Sequence, residues 1–532
     1  MKNSQGETPN PAPVEQTSVD QRIYPLHPFM LAVASVLGLF ANNVKEAALG
    51  DILPALASVL GFALLLFLLL GLLFRGLGAR TALLTSIVLV GCLFYARLWF
   101  WLDHKTGGVV PFGLFVLPFM LGLALLFILV ARTRADLRLP HSILNGVAFF
   151  LMITPIAQVS WYTWQNARPG LVVATSEEVV APVGDRPDIY YLIFDRYASA
   201  ATLQRYFDFD NEPVLSFLEE RGFYVAPGSH ANYLKTAHSL ASTFQMDYLD
   251  FLADEEGSRS SDWQPIYRLL GEHRVGRLLK SVGYRYVQIG SWWRPTQASS
   301  FADVNPSFGF REFTSIYVRD RLLNPLLHLI APESPYTRSL QWDSGQCQRV
   351  PWQIEQVEKA ASGSQPTFVF AHFLLPHEPY VFDAEGNCLS RPESRERGTK
   401  QGYVEQVRYA NKVIRDLVTT LQAKKDRRSV IIIQADEGPF PETDVGHTRT
   451  WREATEDELN IKMGILNAYY YPDQDYDLLY PTITPVNSFR MLFDKYFDVG
   501  LGRLPDRLVG FPNIFRIYEF FDITGAVRAT QD

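Results

Sequence analysis

The sequence predicts an N-terminal α-helical membrane domain followed by a C-terminal α/β domain with a mostly parallel sheet. Three observations support this division. Long apolar runs crowd the first third of the 532 residues, where acidic residues are scarce. Beyond about residue 187, short continuous apolar runs alternate with amphipathic stretches, as in a parallel sheet covered on both faces by helices. A polar linker separates the two patterns, and the chain is too long for one ordinary domain.

The composition sets the expected boundaries. Residues 1–26 are polar and rich in proline, which predicts a disordered cytoplasmic tail. Residues 27–164 form the predicted membrane domain, 165–186 the linker, and 187–532 an extracytoplasmic α/β domain.

Five apolar runs in the membrane domain predict about five spans, because most of them reach the roughly 20 residues that cross a bilayer. The runs are 27–43, 52–74, 81–102, 109–131 and 143–164. Polar residues interrupt the end of the first run, so four or six spans remain alternatives. The first run is not predicted to be a cleavable signal peptide, since its preceding tail is long and acidic and no small-residue cleavage site follows.

Arginine placement predicts the orientation. The loop after the second run carries Arg75 and Arg80, and the loop after the fourth carries Arg132, Arg134 and Arg138. Cytoplasmic loops are enriched in such residues, so the N-terminus faces the cytoplasm. An odd number of spans then places everything after Trp164 outside. The predicted location is therefore the plasma or inner membrane, with several spans.

Several classes of function are disfavoured. The net charge is -7, and no basic cluster with interleaved aromatic residues suggests nucleic-acid binding. No apolar run has an acid at its centre, as an ion-coupled transporter often would. Of the three cysteines, Cys92 lies in an apolar run, whereas Cys347 and Cys388 lie in the outer part, where oxidation is permitted. A disulfide between these two, or two free thiols, are the alternatives.

The outer part reads as alternating strands and helices. The strand-like runs are 188–194, 284–290, 367–373, 429–435 and 465–471. The helical stretches include 211–221, 274–284 and 403–425, the last with apolar residues on one face.

In parallel sheets, chemistry gathers beyond the carboxyl ends of the strands. The side chains delivered there are Asp195 and Arg196 after the first strand, Trp292, Trp293 and Arg294 after the second, His372 and His377 after the third, and Asp436 and Glu437 after the fourth. Adjacent carboxylates raise each other's pKa unless a cation neutralises them. The pair at the end of the fourth strand therefore predicts a bound divalent metal.

Four segments in this order resemble the blocks of the alkaline-phosphatase/sulfatase superfamily: "PDIYYLIFDRY", "NYLKTAHSLAS", "FVFAHFLLPHEPYVFD" and "SVIIIQADEGP". The nearest branch is the membrane-anchored sulfatase-like proteins, which include lipoteichoic acid synthase and phosphoglycerol transferases. The resemblance covers the architecture and most of residues 185–500. It implies an alkaline-phosphatase-like fold for the outer domain.

The resemblance also implies roles for individual residues. Metal ligation falls to Asp195, Thr236, Asp436 and Glu437, nucleophilic attack to Thr236, and substrate binding to His377, Arg294, Trp292 and Trp293. Additional candidates are His372, His447, Arg196 and His238. The family usually has histidine where this chain has Glu437. Three carboxylates and a hydroxyl form a hard oxygen site, which favours Mn²⁺ or Mg²⁺ over Zn²⁺.

The function implied is a metal-dependent phospho-group transferase of the phosphoglycerol or phosphoethanolamine type. It would take its donor from a membrane lipid and act on an envelope lipid or glycan through a threonine nucleophile. Two alternatives stay open: a sulfatase-like phosphodiesterase, and a non-catalytic envelope assembly or binding protein whose site has degenerated at Glu437. Sulfatase activity proper is disfavoured, because "LKTAHSLAS" lacks the Cys/Ser-x-Pro-x-Arg pattern that formylglycine formation requires.

Overall fold

The computed structural model describes residues 24–106, 112–166, 186–319, 321, 323–360, 365–424 and 427–528. The predictions of a disordered tail and of a linker fall almost entirely on residues outside this part. The chain divides into two compact units. The first comprises the chain up to Leu37 and Leu56–Ile156, and the second comprises Gly38–Ala55 and the chain from Ala157 onward.

Five apolar helices occupy the N-terminal third. They are α1 (His27–Asn42), α2 (Leu53–Leu73), α3 (Ala79–Thr106), α4 (Phe112–Arg132) and α5 (Arg138–Gln165). Four of them are long and apolar enough to cross a membrane, whereas α1 has only 16 residues. The described residues thus contain four candidate spans, and a count of five stays a prediction.

A buried polar group links helices of the first unit. His27 Nδ1 lies 2.6 Å from Ser86 Oγ, and His27 Nε2 lies 3.1 Å from His141 Nδ1. Buried polar groups normally find hydrogen-bond partners, and both ring nitrogens of His27 have one here. The three side chains thereby connect α1, α3 and α5.

The second unit contains the sheet. Its strands are β1 (Asp188–Phe194), β2 (Tyr224–Val225), β3 (Arg285–Ile289), β4 (Thr367–Phe373), β5 (Ser429–Gln434) and β6 (Asn467–Tyr470), with a separate hairpin of β7 (Val509–Gly510) and β8 (Phe521–Asp522). The order is β2-β6-β5-β1-β4-β3. The pairs β1–β4, β1–β5 and β3–β4 are parallel, while β5–β6 and β2–β6 are antiparallel. The mostly parallel sheet predicted from the sequence is confirmed.

Every residue of β1, β4 and β5 is buried, which explains their continuous apolar runs. Strand β1 lies between the other two. Ile193 pairs with His372 on one side and with Gln434 on the other. This register brings the residues after the three strands to the same edge of the sheet.

The helices of the second unit are α6 (Ala200–Phe207), α7 (Glu212–Glu220), α8 (Thr236–Gln245), α9 (Asp250–Glu256), α10 (Gln264–Gly271), α11 (Arg274–Ser281), α12 (Arg294–Gln297), α13 (Glu312–Arg319), α14 (Leu323–Ile330), α15 (Pro335–Arg338), α16 (Gln346–Ala360), α17 (Arg391–Ala423), α18 (Glu456–Met463), α19 (Pro485–Phe497) and α20 (Thr524–Arg528). Helix α17 starts twelve residues before the predicted position 403. Its first turns are polar, so an apolar periodicity could not reveal them. Ser390 caps this start with Glu393 in a capping box.

The second unit also includes the short segment between α1 and α2, which docks on the α/β domain. Lys45 Nζ donates to Ser261 Oγ at 2.7 Å, and Gln264 Nε2 donates to the carbonyl of Ala47 at 2.8 Å. The backbone N–H of Trp263 donates to the carbonyl of Lys45 at 3.2 Å. Residues 43–52, which we call the docking loop, are thus part of the α/β unit although they precede it by more than 130 residues.

Cys347 and Cys388 form a disulfide, with Cα atoms 5.8 Å apart, so the bridge considered from the sequence is confirmed. The bond joins α16 to the segment after β4. That segment carries His377, and the bridge therefore restricts the region next to the sheet edge.

Candidate active site

Three buried side chains meet at the carboxyl edge of the sheet. Asp195 follows β1, His372 lies near the end of β4, and Asp436 follows β5. Their potential ligand atoms all lie within 4.8 Å of one another. Three adjacent parallel strands therefore build a group with the composition and spacing of a metal site.

Two carboxylate oxygens of this group accept no hydrogen bond. His372 Nε2 lies 3.2 Å from Asp195 Oδ2, and the backbone N–H of Arg196 donates to Asp436 Oδ1 at 3.1 Å. Asp195 Oδ1 and Asp436 Oδ2 are buried and have no hydrogen-bond partner among the described residues. Unpartnered buried carboxylate oxygens are energetically costly, so the donor set fits a divalent cation.

The two carboxylates of the group have opposite electrostatic environments. Burial raises the pKa of Asp195, but the charge of His377 and the hydrogen bond from His372 outweigh it and lower this pKa to about 2. Burial and the nearby charges of Asp195 and Glu437 raise the pKa of Asp436 well above its ordinary value. A cation between the two acids would take over the neutralising role of the proton on Asp436.

A hydroxyl outside the group orients the imidazole. His372 Nδ1 lies 2.8 Å from Thr296 Oγ1, which in turn lies 3.0 Å from Ser291 Oγ. With Nδ1 engaged, Nε2 faces Asp195. Such outer partners commonly set the ring orientation of a metal-binding histidine. The sequence pointed to His372 only as an additional candidate and contained no signal for Thr296.

Glu437, in contrast, is neutralised by the protein itself. Its Oε1 lies 2.7 Å from Lys462 Nζ and 3.3 Å from Arg196 Nε. Glu437 and Lys462 are 1% and 0% exposed, and Lys462 also donates to the carbonyl of Gly438 at 3.0 Å. Glu437 is not part of the three-residue group. The charge of Glu437 is balanced by a buried lysine and an arginine, but its Oε2, like Asp436 Oδ2, is buried without a hydrogen-bond partner among the described residues. Its predicted role as a ligand therefore stays a prediction.

Three cations surround the ring of Phe440 next to this pair. The distances to the ring centroid are 4.6 Å for the guanidinium carbon of Arg196, 4.1 Å for Lys235 Nζ and 3.8 Å for Lys462 Nζ. Arg196 has a left-handed backbone with φ of 64°, a strained conformation that often marks functional sites. Its guanidinium also pairs with Glu378. Arg196 and Lys462 are thus paired with carboxylates, and Lys235, for which the described residues show no ion pair, is the cation of this group best placed to meet an anionic ligand.

Thr236 is the first residue of α8 and is half-buried. Its hydroxyl lies close enough to the Asp436 carboxylate to act to lower the pKa of that acid. The preceding Lys235 provides no side-chain cap, so the first N–H groups of α8 remain available to an anion. Of the neighbouring hydroxyls, Ser242 donates to the carbonyl of Asp247 and Thr243 to that of Ser239. Ser239 Oγ is buried and has no hydrogen-bond partner among the described residues.

The predicted substrate-binding residues divide into two groups. His377 is half-buried and within electrostatic range of Asp195, and burial lowers its pKa. The ring of Trp293 lies 6.3 Å from that of His372, with Trp292 half-buried next in the chain. Arg294 turns away: it pairs with Asp51 and donates to the carbonyl of Glu46 at 3.1 Å, both in the docking loop. The headgroup role predicted for Arg294 would require it to leave these partners.

The two remaining histidines lie apart from the metal group. His238 Nε2 lies 3.0 Å from the carbonyl of Ile517, and its ring stacks on Phe511. Burial lowers the pKa of His238 to about 3, so it packs as a neutral ring. His447 is exposed, and its ring centroid lies 6.0 Å from that of Phe440.

Comparisons with known proteins identify similar sequences and folds. The family model described as Sulfatase matches residues 211–478, half of the chain. Among solved structures, the periplasmic domain of EptC from Escherichia coli is 12% identical, with a TM-score of 0.41, and covers 66% of this chain and 99% of its own.

Two further structures are similar. The lipooligosaccharide phosphoethanolamine transferase EptA from Neisseria meningitidis is 12% identical with a TM-score of 0.38, over 84% of this chain and 88% of its own. The periplasmic domain of the phosphoethanolamine transferase EptC from Campylobacter jejuni is 12% identical with a TM-score of 0.36, over 59% and 92%. No curated protein matches.

Proposed function

The chain belongs to the sulfatase family of enzymes, within the alkaline-phosphatase superfamily, and from this premise we propose that it is a metal-dependent phospho-group transferase with Thr236 as nucleophile. The supporting observation is the position of Thr236, which begins the uncapped helix α8 near Asp436. Asp436 Oδ2 is buried without a partner among the described residues. A threonine cannot be converted to formylglycine, so the family's sulfate chemistry is not the expected one here.

The metal would be held by Asp195, His372 and Asp436, with the Thr236 hydroxyl as a further ligand. When bound, a divalent cation lowers the pKa of a coordinated hydroxyl and stabilises negative charge on phosphoryl oxygens. The ligands predicted from the sequence all offered oxygen atoms. The proposed set has His372 instead of Glu437 and therefore includes one imidazole nitrogen. An imidazole suits Mn²⁺ and Zn²⁺ better than Mg²⁺.

The proposed reaction has two displacements. Thr236 Oγ attacks the phosphorus of a phosphodiester, the bond to the lipid alcohol breaks, and the hydroxyl proton ends on the released alcohol. An acceptor hydroxyl then attacks the phosphothreonine, the phosphorus–Oγ bond breaks, and Thr236 regains a proton. His377, Lys235 and Arg196 are the residues we assign to holding the charged oxygens during both steps.

The proposed donor is a membrane phospholipid with an ethanolamine or glycerol headgroup. Four helices long and apolar enough to cross a membrane precede the α/β domain, and the arginine-rich loops favour an extracytoplasmic position for that domain. Such an anchor would confine the chain to the membrane that carries the donor lipid. The acceptor would be an envelope lipid or glycan, with water as the acceptor in the phosphodiesterase alternative.

The test is to trap the covalent intermediate. The full chain in detergent micelles is incubated with labelled phosphatidylethanolamine or phosphatidylglycerol and Mn²⁺, and the modified peptides are mapped by mass spectrometry. We expect an adduct on Thr236, none in Thr236→Ala, and partial turnover in Thr236→Ser, which keeps the hydroxyl but not the methyl group that restricts its rotamer.

Ser239→Ala is the matched control, because it removes a hydroxyl one turn along the same helix. It should form the adduct normally. An adduct on Ser239, or no adduct with either donor, would refute the assignment. Lipid cleavage that proceeds through the adduct but transfers to no acceptor would favour the phosphodiesterase.

A further inference from the structure

Two candidate spans have one end inside the second unit, and both ends contact the same short segment of the α/β domain. The first of these spans begins at Leu49, within the docking loop, and that loop binds Ser261 and Gln264. Tyr162, near the end of α5, donates to Asp262 Oδ2 at 2.6 Å. A spanning helix meets the membrane surface at its ends, so this segment of the domain is expected at that surface.

Two tryptophans at the end of α5 support this level. Trp161 and Trp164 are exposed, and their ring centroids lie 5.1 Å apart. Tryptophan is enriched where a span meets the membrane–water interface. The contact of Tyr162 with Asp262 is made between these two residues, which again places Asp262 at the interface.

Exposed apolar side chains of the α/β domain are concentrated in two segments. In the described part of residues 187–528, all the exposed large hydrophobic side chains except Leu478 belong to them. The first segment is α13 to α15, with Ile316, Leu323, Leu329, Ile330 and Tyr336, and the second is a turn with Ile514 and Phe515. Single exposed apolar residues are normal, whereas a concentration of them marks an interaction surface.

The first segment is attached to the docking loop. The carboxylate of Glu312, the first residue of α13, accepts from the backbone N–H of Arg294 at 2.7 Å, and Arg294 pairs with Asp51 of the loop. The ring of Phe313 lies 6.4 Å from that of Phe40, just before the loop. Helix α13 therefore lies next to a point where a candidate span begins.

Helix α14 continues from α13 and is amphipathic. Leu323 and Ile330 are seven residues apart and so lie on one face of the helix, whereas Asn324 and His328 lie on the other. Leu329, beside the apolar face, is 80% exposed. A short helix with an apolar face and no protein cover on it has the pattern of a segment that lies in a membrane interface.

The second segment is the closed turn Asn513–Arg516, with Ile514 and Phe515 at its tip. A backbone hydrogen bond of 3.0 Å joins its two end residues, and Phe515 is 68% exposed. The hydroxyl of Tyr518 donates to the carbonyl of Asp262 at 2.6 Å. The turn is thus attached to the same residue that contacts the end of α5.

The chain on both sides of this turn also packs on α8. The ring of His238 stacks on that of Phe511 with centroids 4.6 Å apart, and His238 Nε2 lies 3.0 Å from the carbonyl of Ile517. The turn is therefore anchored to the helix that begins with Thr236.

We infer that α14 and the turn Asn513–Arg516 dip into the adjacent leaflet of the membrane, so that the α/β domain contacts lipid directly and not only through its spanning helices. Lipid is the occupant of this apolar surface because both segments are attached to residues where candidate spans end. Segments of this kind bury their apolar side chains about 5 to 10 Å into the boundary between headgroups and acyl chains. The contact sets the depth of the start of α8 relative to the bilayer, whatever reaction takes place there.

The test measures the depth of single positions in the full chain. Leu329→Cys and Phe515→Cys are made in a Cys92→Ser background, labelled with the environment-sensitive fluorophore NBD, and placed in nanodiscs of phosphatidylethanolamine and phosphatidylglycerol. The other two cysteines are bonded to each other and do not react. Leu478→Cys is the matched control, because Leu478 is an exposed leucine in the loop between β6 and α19, outside both segments.

Lipids with a nitroxide on the upper acyl chain should quench the labels at positions 329 and 515 about twofold or more strongly than the label at 478, given the expected depth. Iodide in the water should quench in the reverse order. Melting temperatures identify any variant that does not fold, and Ile330→Cys and Ile514→Cys then replace the first pair.

Equal quenching by the nitroxide lipids at all three positions would overturn the inference. Nitroxide quenching at only one of the two segments would overturn the shared surface. Protection from iodide without nitroxide quenching, and dependent on the number of chains per nanodisc, would show that a second copy of the chain covers the surface instead of lipid. The measurement needs no turnover, so it stands apart from the test of the Thr236 adduct.

Discussion

Asp436 and Glu437 are adjacent in sequence and each about 1% exposed, yet the structure neutralises them in different ways. Asp436 joins Asp195 and His372 in a group with two unpartnered oxygens, which fits an exchangeable cation. Glu437 faces a cation that belongs to the chain, the buried ammonium of Lys462. A metal can leave its site, whereas a lysine cannot. The first acid should therefore control metal content, and the second should control stability.

The largest expected effect comes from Asp436→Asn. The variant removes a charged ligand and should lose metal affinity by more than ~100-fold, beyond the range typical of outer partners. Stability of the metal-free protein should not fall, because the repulsion between Asp436 and its acidic neighbours is relieved. Metal analysis of the purified chain together with thermal denaturation tests both points. Full metal occupancy in Asp436→Asn would show that Asp436 is not a metal ligand and has a structural role only.

Glu437→Gln should have the opposite signature. It leaves Lys462 buried without its carboxylate, and breaking a buried pair in this way costs about 3 to 5 kcal/mol. Burial already lowers the pKa of Lys462 to about 7, while Glu437 acts to raise it. Metal content should be close to wild type.

The double variant Glu437→Gln/Lys462→Met is the control for this experiment, since it removes both partners and should recover most of the lost stability. If Glu437→Gln instead loses metal and keeps its melting temperature, Glu437 is a ligand, as the sequence predicted.

Thr296→Val tests whether the partner of His372 contributes to metal affinity at the site of Asp436. The valine keeps the shape of threonine but removes the hydroxyl that engages His372 Nδ1. Loss of such an outer partner usually weakens metal binding about 10- to 100-fold. A chelator competition titration measures this, with Thr296→Ser as the variant that keeps the hydrogen bond. Equal affinities for both variants would show that the ring is held by packing alone.

Glu312 provides the smallest expected effect, because it is a half-buried acid that no metal or lysine neutralises among the described residues. Burial and the carboxylates of Glu46 and Asp51 raise its pKa to about 7, although the backbone N–H and the charge of Arg294 oppose this. The stability that Glu312 contributes is therefore present below its ordinary pKa of 4.5 and lost as the pH rises through 7.

Glu312→Gln should thus be more stable than wild type at pH 8, by on the order of 1 to 2 kcal/mol once partial exposure is allowed for. The two proteins should melt alike at pH 4.5. Melting curves across this pH range test the sign, and a difference that does not depend on pH would contradict it.

The strands and the polar residues at their carboxyl ends were predictable from the sequence. Continuous apolar runs identified β1, β4 and β5, and their parallel register brought Asp195, His372 and Asp436 together. The sequence could not separate the roles of Asp436 and Glu437, because their different surroundings depend on Lys462 in α18, 25 residues beyond Glu437. The contact of Thr296 with His372 and the pairing of Arg294 with Asp51 could likewise not be predicted from local sequence patterns, since these partners come from distant segments.

The docking loop has a consequence for the order of synthesis. Lys45 leaves the ribosome 216 residues before Ser261, and Asp51 precedes Arg294 by 243 residues. Contacts of such long range form late and slowly during folding. The nascent chain therefore completes its α/β unit only after most of that unit has been made, by joining it to a loop made near the start. A recombinant fragment that begins at residue 187 omits this loop and presents Arg294 without its anionic partner.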